Sequence, residues 1–416
     1  MTKPPVICLI TAGHVASTPR LVKNADALVE AGFDVHVLAG APYPPADGLD
    51  EGILASSKWR YTRLDRRGGP EEISRKLVRA LTRRLVLIPG FSRPGIAERA
   101  QLASSPRLSA AAARIPADLF LGHGIVALPA AAFASRVREG LYGFDIEDYH
   151  DAETVESIAD RSEQRARNVL QSSFLPGAHP LTCSAPLIAK EYSRRYGVDP
   201  LVIMNVFPLS QAPVAPAPPM PISEQRPARL YWFSQTIGPG RGLEGVVAAM
   251  GRMRVPAELL LRGFVSQGYR ALLQAEAIKA GLRRPIQFLP PGPPGEMARL
   301  ASVADLGLSV EESSPLNRDI CLTNKIFVYL LAGIPQLLSG TSAQTRLSAE
   351  LGEASIVCDA AGAAAVAAQI DGLLSDPARI ARARSRAWSL AHGPFCWDNE
   401  KVPFVNAVRT ALRVPS

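Results

Sequence analysis

The stretch V-I-C-L-I-T-A-G-H-V-A-S-T-P-R-L-V-K-N-A-D-A-L-V-E-A-G-F-D-V-H-V-L-A, residues 6–39, decides the fold class. Val6–Thr11 is a continuous apolar run, the pattern of a strand buried on both faces. Arg20–Ala31 reads as a helix, because Leu21, Ala25, Leu28 and Val29 fall on one side of it. After the turn Ala31-Gly32-Phe33-Asp34, Val35–Ala39 reads as the next strand. A strand, a helix and a second strand in this order make a right-handed crossover, so the two strands lie parallel and the helix covers them.

The same alternation runs along the chain. Leu119–Gly122, Leu141–Phe144, Leu181–Ser184 and Leu201–Met204 are expected strands, with helices at Pro129–Val137, Ala152–Leu170 and Ala185–Tyr196. Between Phe207 and Ala228 seven prolines fall in 22 residues. Such a segment sustains neither a helix nor a central strand and is expected to act as a semi-rigid spacer. The alternation then restarts. Strands are expected at Arg229–Phe233, Leu259–Leu261, Ile286–Leu289, Leu306–Val310, Gln336–Leu338 and Ile356–Cys358. Helices are expected at Leu243–Met250, Gln267–Ala280, Glu296–Ala301, Thr323–Ala332 and Ala361–Leu374. The expected fold class is α/β, with two facing doubly wound, Rossmann-like parallel sheets. Its parts are a domain at 1–206, a linker at 207–228, a domain at 229–394 and a closing segment at 395–416. Ligands in such folds sit at the carboxyl ends of strands, which makes the interdomain cleft the expected site.

Composition narrows the function classes. Of 416 residues, 47% are hydrophobic and 20% charged, as in globular proteins. Aromatics are 6%, a poor supply of stacking platforms, so no nucleic-acid partner is expected. The five cysteines (Cys8, Cys183, Cys321, Cys358, Cys396) form no CxxC pair, which argues against a disulfide framework or a zinc cluster and for a reducing cytoplasm. Val6–Ile10 is too short for a signal-peptide core, and no run approaches the roughly 18 apolar residues of a membrane span. The net charge of +8 is local: Lys58–Arg107 holds 13 Lys and Arg against 4 Asp and Glu, or +9. Within it Ile73, Leu77, Leu81, Leu85 and Ile88 form one apolar stripe. Arg75, Lys76, Arg79 and Arg83 lie off the stripe, with Arg84 near its edge. This is either an element that lies on an anionic membrane surface or a docked surface helix with a solvated basic face.

Four loops carry candidate chemistry. In V-E-E-S-S-P-L-N-R-D-I-C-L-T-N-K (310–325), Thr323 is an expected N-cap, with Asn324 and Lys325 in the first helical turn. Exposed N–H groups and a cation there make an anion site, unless Lys325 is merely solvated. In F-S-Q-T-I-G-P-G-R-G-L (233–243), Gly238, Gly240 and Gly242 let backbone approach a ligand, and Arg241 can clamp a phosphate. The spacing matches neither GxGxxG nor GxxxxGK[ST]. T-A-G-H-V-A-S-T-P-R (11–20) follows the first strand, with Gly13 at the turn and His14 either on a substrate or at the surface. His123 lies just past a strand end, and Asp145, Glu147, Asp148 and Asp151 cluster past the next; no set has a recognisable metal-ligand spacing, so no metal is expected.

These segments, in this order, resemble the retaining glycosyltransferases of family 4, which have the GT-B fold. The resemblance is carried by S-T-P-R-L-V-K-N-A-D-A-L-V-E-A-G-F-D-V-H-V-L-A (17–39), A-D-L-F-L-G-H-G-I-V-A-L-P-A-A (117–131), I-G-P-G-R-G-L-E (237–244), L-T-N-K-I-F-V-Y-L-L-A-G-I-P (322–335) and F-C-W-D-N-E (395–400). It implies a nucleotide-diphosphosugar donor, held mainly by the second domain and used as co-substrate with no further cofactor. The implied acceptor is a glycan or lipid-linked molecule of the cell envelope, reached at the inner membrane face. It also implies a C-terminal helix that crosses back to the first domain. Arg241 and Lys325 match the basic pair on the donor pyrophosphate, His123 the histidine near the reacting sugar, and Gly13 the glycine loop near the phosphate. Gly240 and Asn324 belong to the same donor segments, and His14 to the acceptor side. One departure stands out: the family's pair of glutamates eight apart is replaced here by Ile320 and Val328, and Glu311 or Glu312 is the substitute the sequence offers. A catalytically silent nucleotide-sugar binder and a nucleotide-sugar 2-epimerase are the alternatives on the same scaffold.

Overall fold

A computed structural model describes residues 3–40, 47–64, 70–153, 158–358 and 362–414. The chain divides into two compact units, Met1–Ile203 with Lys401–Ser416, and Met204–Glu400.

The first unit holds a seven-stranded sheet, all parallel. Its strands are β1 (Val6–Thr11), β2 (Asp34–Ala39), β3 (Arg60–Arg63), β4 (Leu119–His123), β5 (Leu141–Ile146), β6 (Leu181–Cys183) and β7 (Leu201–Val202), in the order β3-β2-β1-β4-β5-β6-β7. All six residues of β1 are buried, as a continuous apolar strand at the sheet centre requires. Chain direction across the sheet reverses between β1 and β4. Register there pairs Thr11 with His123 and His123 with Asp145, which brings three polar side chains to one strand end.

The second unit repeats the plan with six parallel strands. They are β8 (Ala228–Ile237), β9 (Ala257–Val265), β10 (Gln287–Leu289), β11 (Leu306–Ser309), β12 (Gln336–Ser339) and β13 (Ser355–Cys358), in the order β10-β9-β8-β11-β12-β13. The core sets Leu230, Trp232, Leu261 and Leu308 of the sheet against Leu243, Val246 and Val247 of the helix Leu243–Met250. The order reverses between β8 and β11, and the loops after those strands carry Arg241 and Glu311.

The elements depart from expectation in identifiable places. β8 and β9 run beyond the expected Phe233 and Leu261, with an irregularity between Phe233 and Thr236. β3 went unread because an exposed edge strand spelled Arg-Tyr-Thr-Arg has no apolar pattern. Helices Pro94–Gln101, Ser105–Ala112, Ser342–Leu351 and Pro377–Ala391 were also unread. The expected helix Ala152–Leu170 is instead a 3-10 turn at His150–Ala152 and a helix at Ile158–Phe174; residues 154–157 of that expectation lie outside the described residues. The expected helix over 73–88 spans Pro70–Leu85. The Pro-rich segment belongs to the second unit. Arg384 donates to the Ala217 carbonyl, and a side chain on Gly333 would meet Pro216 at 3.1 Å, so that stretch is packed onto the unit. The last helix, Trp397–Leu412, is divided between the units at Glu400 and Lys401.

Candidate functional site

At the switch point of the second sheet, Glu311 follows β11 and is only 7% exposed. Its backbone N–H donates to Ser339 Oγ at the end of β12 (2.6 Å). One carboxylate oxygen accepts from Lys325 Nζ (2.9 Å) and the other from Arg241 Nη1 (2.9 Å). Lys325 is buried in the first turn of the helix Asn324–Leu331, with Nζ 5.2 Å from the centre of the Trp232 ring on β8. Burial opposes charge on Glu311, but Lys325 and Arg241 outweigh it and hold the carboxyl below its ordinary range. Two cations around one carboxylate leave an excess positive charge, in surroundings that screen it less than water does.

The glycine loop before the helix Leu243–Met250 is shaped for close approach. Gly240 and Gly242 have φ of 71° and 70°, the left-handed region that glycine tolerates. Arg318 donates to the Gly240 carbonyl, and a side chain at Gly240 would meet that guanidinium at 2.8 Å. Beside the loop lies an open pocket of about 370 Å³, lined by Glu311, Glu312, Ser339 and Thr341. The starts of three helices, Leu243–Met250, Ser342–Leu351 and Ala363–Leu374, also line it. The Thr341 hydroxyl is buried there without a hydrogen-bond partner among the described residues. Helix N-termini and the free Thr341 hydroxyl suit an anionic ligand; the pocket's charged lining is Glu311 and Glu312, and Lys325 and Arg241 reach it through their bonds to Glu311.

The remaining expected residues of this unit fall as follows. Asn324 is exposed and accepts from Asn205 Nδ2 (2.8 Å). Thr323 occupies the N-cap position, but its hydroxyl is buried and makes no capping bond. Glu312 lines the pocket, whereas Val328 (2% exposed) and Ile320 are both buried.

In the first unit His123, at the end of β4, is buried with Nδ1 3.3 Å from Glu147 Oε1 and 3.5 Å from Asp145 Oδ2. Its Nε2 is buried and has no partner among the described residues. With Nδ1 donating to these carboxylates, Nε2 becomes an acceptor for a hydroxyl. Asp145 is itself held by Arg20, whose Nη2 donates at 2.9 Å and whose Nε also donates, and by Thr182 Oγ1 at 2.6 Å. Burial of Asp145 is more than offset by Arg20, His123 and these hydrogen bonds, so its pKa falls to about 2. Arg20, also bonded to the Ile203 carbonyl (2.6 Å), escaped the sequence reading. Its signal was available: Arg20 and Asn24, four apart, share the side of the helix that Leu21, Ala25 and Leu28 bury.

His123, Asp145 and Glu147 bring ligand atoms within 4.8 Å of one another. Both Asp145 oxygens already accept from Arg20 and Thr182, and His123 Nδ1 already faces Glu147, which makes the set a poor fit to a divalent cation. Asp151, expected in the same acidic cluster, serves structure: it accepts from Tyr196 and Gln171 (both 2.8 Å). His14 is 2% exposed, which removes the surface alternative; Nδ1 lies 2.7 Å from Asp50 Oδ2, and Asp50 also accepts from the Ala16 N–H. Gly13 is uncrowded: a side chain there would come no closer than 3.8 Å to Ser17 and Thr11.

No protein-family model matches the sequence, and no curated protein matches it significantly. Solved structures do. The chain is similar to HepE from Anabaena, crystallised with UDP and glucose, at a TM-score of 0.70 and 15% identity over 98% of this chain and 100% of that one. It is similar to a glycosyltransferase from Rickettsia africae (TM-score 0.69, 10% identity, 99% and 100% covered). It is also similar to sucrose-phosphate synthase from Thermosynechococcus elongatus (0.67, 16%, 98% and 99%). At these identities the likeness is one of fold, and it agrees with the two parallel sheets: the chain has the GT-B fold.

Proposed function

We propose that the chain is a glycosyltransferase that moves a sugar from a nucleotide-diphosphosugar to an acceptor hydroxyl. The observation that carries this reading is the convergence of Lys325 and Arg241 on one buried carboxylate, beside a pocket lined by three helix starts. In the reaction the bond between the anomeric carbon and the diphosphate oxygen breaks. The acceptor oxygen bonds to that carbon, and its proton passes to the departing diphosphate. The leaving diphosphate gains negative charge, and fixed cations that are already in place stabilise it without reorganising. Lys325 and Arg241 supply charge that a metal ion supplies elsewhere, so transfer proceeds without a metal or further cofactor. The unpartnered Nε2 of His123 is suited to a hydroxyl of the sugar or acceptor.

The finer reading follows the resemblance: family 4, retention of anomeric configuration, a hexosyl donor, and a glycan or lipid-linked acceptor of the cell envelope. HepE binds UDP, which makes UDP-sugars the first donors to try. The test is release of nucleoside diphosphate from labelled UDP-, GDP-, ADP- and TDP-sugars, with and without candidate acceptors and without metal. Acceptor-dependent release that is lost in Lys325→Ala supports transfer; release that Lys325→Ala leaves intact refutes the assignment of the site.

A second reading, a nucleotide-sugar binder without transfer, is favoured by one observation: Val328 stands buried where the resembled family has a glutamate. It predicts donor binding with no turnover on any acceptor.

A further inference from the structure

The helix Pro70–Leu85 presents the wrong side to its own unit. Leu77 is 66% exposed, and Ile73 and Leu81, one helical repeat away on either side, are nearly as open. The opposite side, with buried Thr82, is the docked one. There Arg79 donates to Glu163 (3.3 Å) and to the Ala100 carbonyl, and Arg83 also pairs with Glu163. A helix held on a globular core buries its apolar stripe and exposes its charges. Here the ion pairs and, just beyond the helix, buried Val86 hold it, while Ile73, Leu77 and Leu81 of the stripe face out. The pattern continues along the chain, where Leu87, Ile88 and Phe91 are exposed too. Lys76, three residues from Ile73, and Arg84, three from Leu81, are exposed on the same side, and Arg93 is exposed just beyond.

We propose that this face seats the protein on an anionic lipid surface. Ile73, Leu77 and Leu81 enter the boundary between headgroups and acyl chains, and Lys76, Arg84 and Arg93 meet lipid phosphates. Soluble monomers rarely leave so many large apolar side chains together in water, and such patches mark interaction sites. Among the described residues no helix is long and apolar enough to cross a membrane, so the element lies in the interface plane. Charge complementarity selects the occupant. A two-fold pairing with a second copy of this chain uses the same patch on both sides, which brings Lys76 and Arg84 towards the same cations of the other copy. Lipid phosphates present the opposite sign. The inference stands whether or not the chain transfers sugars.

The test is flotation of the full chain with vesicles of phosphatidylglycerol and phosphatidylcholine in equal parts, against vesicles of phosphatidylcholine alone. The wild type should float with the anionic vesicles and stay behind with the neutral ones. Leu77→Asp/Leu81→Asp and Lys76→Glu/Arg84→Glu should each lower the bound fraction by about tenfold or more. Their circular dichroism and Tm should match the wild type, because these side chains are exposed. Absence of the wild type from the anionic vesicles overturns the proposal, as does equal flotation of both variants. A concentration-dependent dimer that ignores vesicles and is lost in Leu77→Asp/Leu81→Asp gives the face to a second copy, and also overturns it.

Discussion

Lys325 and Glu311 form a buried pair, with Nζ 2.9 Å from Oε1 and each residue 7% exposed. A buried pair gains little over apolar packing, but losing one partner leaves an uncompensated charge in the interior. The pair therefore makes sense as a held cation, kept in place until an anionic ligand competes for it.

That view predicts a mutant cycle. Lys325→Met should lower unfolding stability at neutral pH by about 1–3 kcal/mol, less than a fully orphaned charge costs because Arg241 remains on Glu311. Adding Glu311→Gln should restore most of that loss while nucleotide binding stays absent. Urea midpoints read the first quantity and calorimetry the second. Equal stability of wild type and Lys325→Met would show that the pair is not coupled as described.

The glycines predict a contrast between two small substitutions. Gly13→Ala should fold with stability within about 0.5 kcal/mol of the wild type, because among the described residues nothing comes closer to the new methyl than 3.8 Å. Gly240→Ala should cost about 1–2 kcal/mol, since a left-handed φ of 71° and the Arg318 guanidinium both oppose it. If Gly13→Ala weakens donor binding with stability intact, the residue lies at the ligand; unchanged binding removes Gly13 from the donor site.

Val328 predicts a failed restoration. The side chain is 2% exposed, so Val328→Glu forces a carboxyl into the interior without a partner. A loss of about 2–4 kcal/mol in unfolding stability is expected, with no gain in donor affinity. Wild-type stability with tighter binding would show that this position opens to the ligand.

Acid should expose the Arg20–Asp145 pair. Asp145 titrates near 2 in the folded chain, against about 3.9 when unfolded. A depressed folded pKa contributes stability that is complete above about pH 4 and is lost as pH falls towards 2, on the order of 2 kcal/mol. Glu311 adds to the same trend, since its carboxyl is also held low. Asp145→Asn should thus be less stable than wild type at pH 7, and the gap should narrow between pH 4 and pH 2. A gap that stays constant with pH would contradict the assignment.

Much of the fold was legible because parallel strands buried on both faces are near-continuous apolar runs, as in Val6–Thr11 and Leu306–Ser309. The edge strand β3 was not, because it is spelled in exposed polar residues, whereas the edge strands β7, β10 and β13 keep short apolar runs that were legible. In the second unit, chain order and residue type singled out Arg241, Lys325 and Glu311, but only three-dimensional contact joins them through one carboxylate. Arg20 and Asp145 were missed as a pair because 125 residues separate them and the β1–β4–β5 register brings them together. Sequence periodicity located the apolar stripe of 73–88, yet could not say which side of the helix Glu163 would claim.

The most direct measurement is equilibrium binding of UDP, GDP, ADP, TDP and their sugar conjugates, without metal, to the wild type and to Lys325→Met. The account predicts that one nucleotide family binds the wild type, raises its Tm by several degrees at saturation, and fails to bind the variant. A folded wild type that binds none of them, or a variant that binds as well as the wild type, would contradict it.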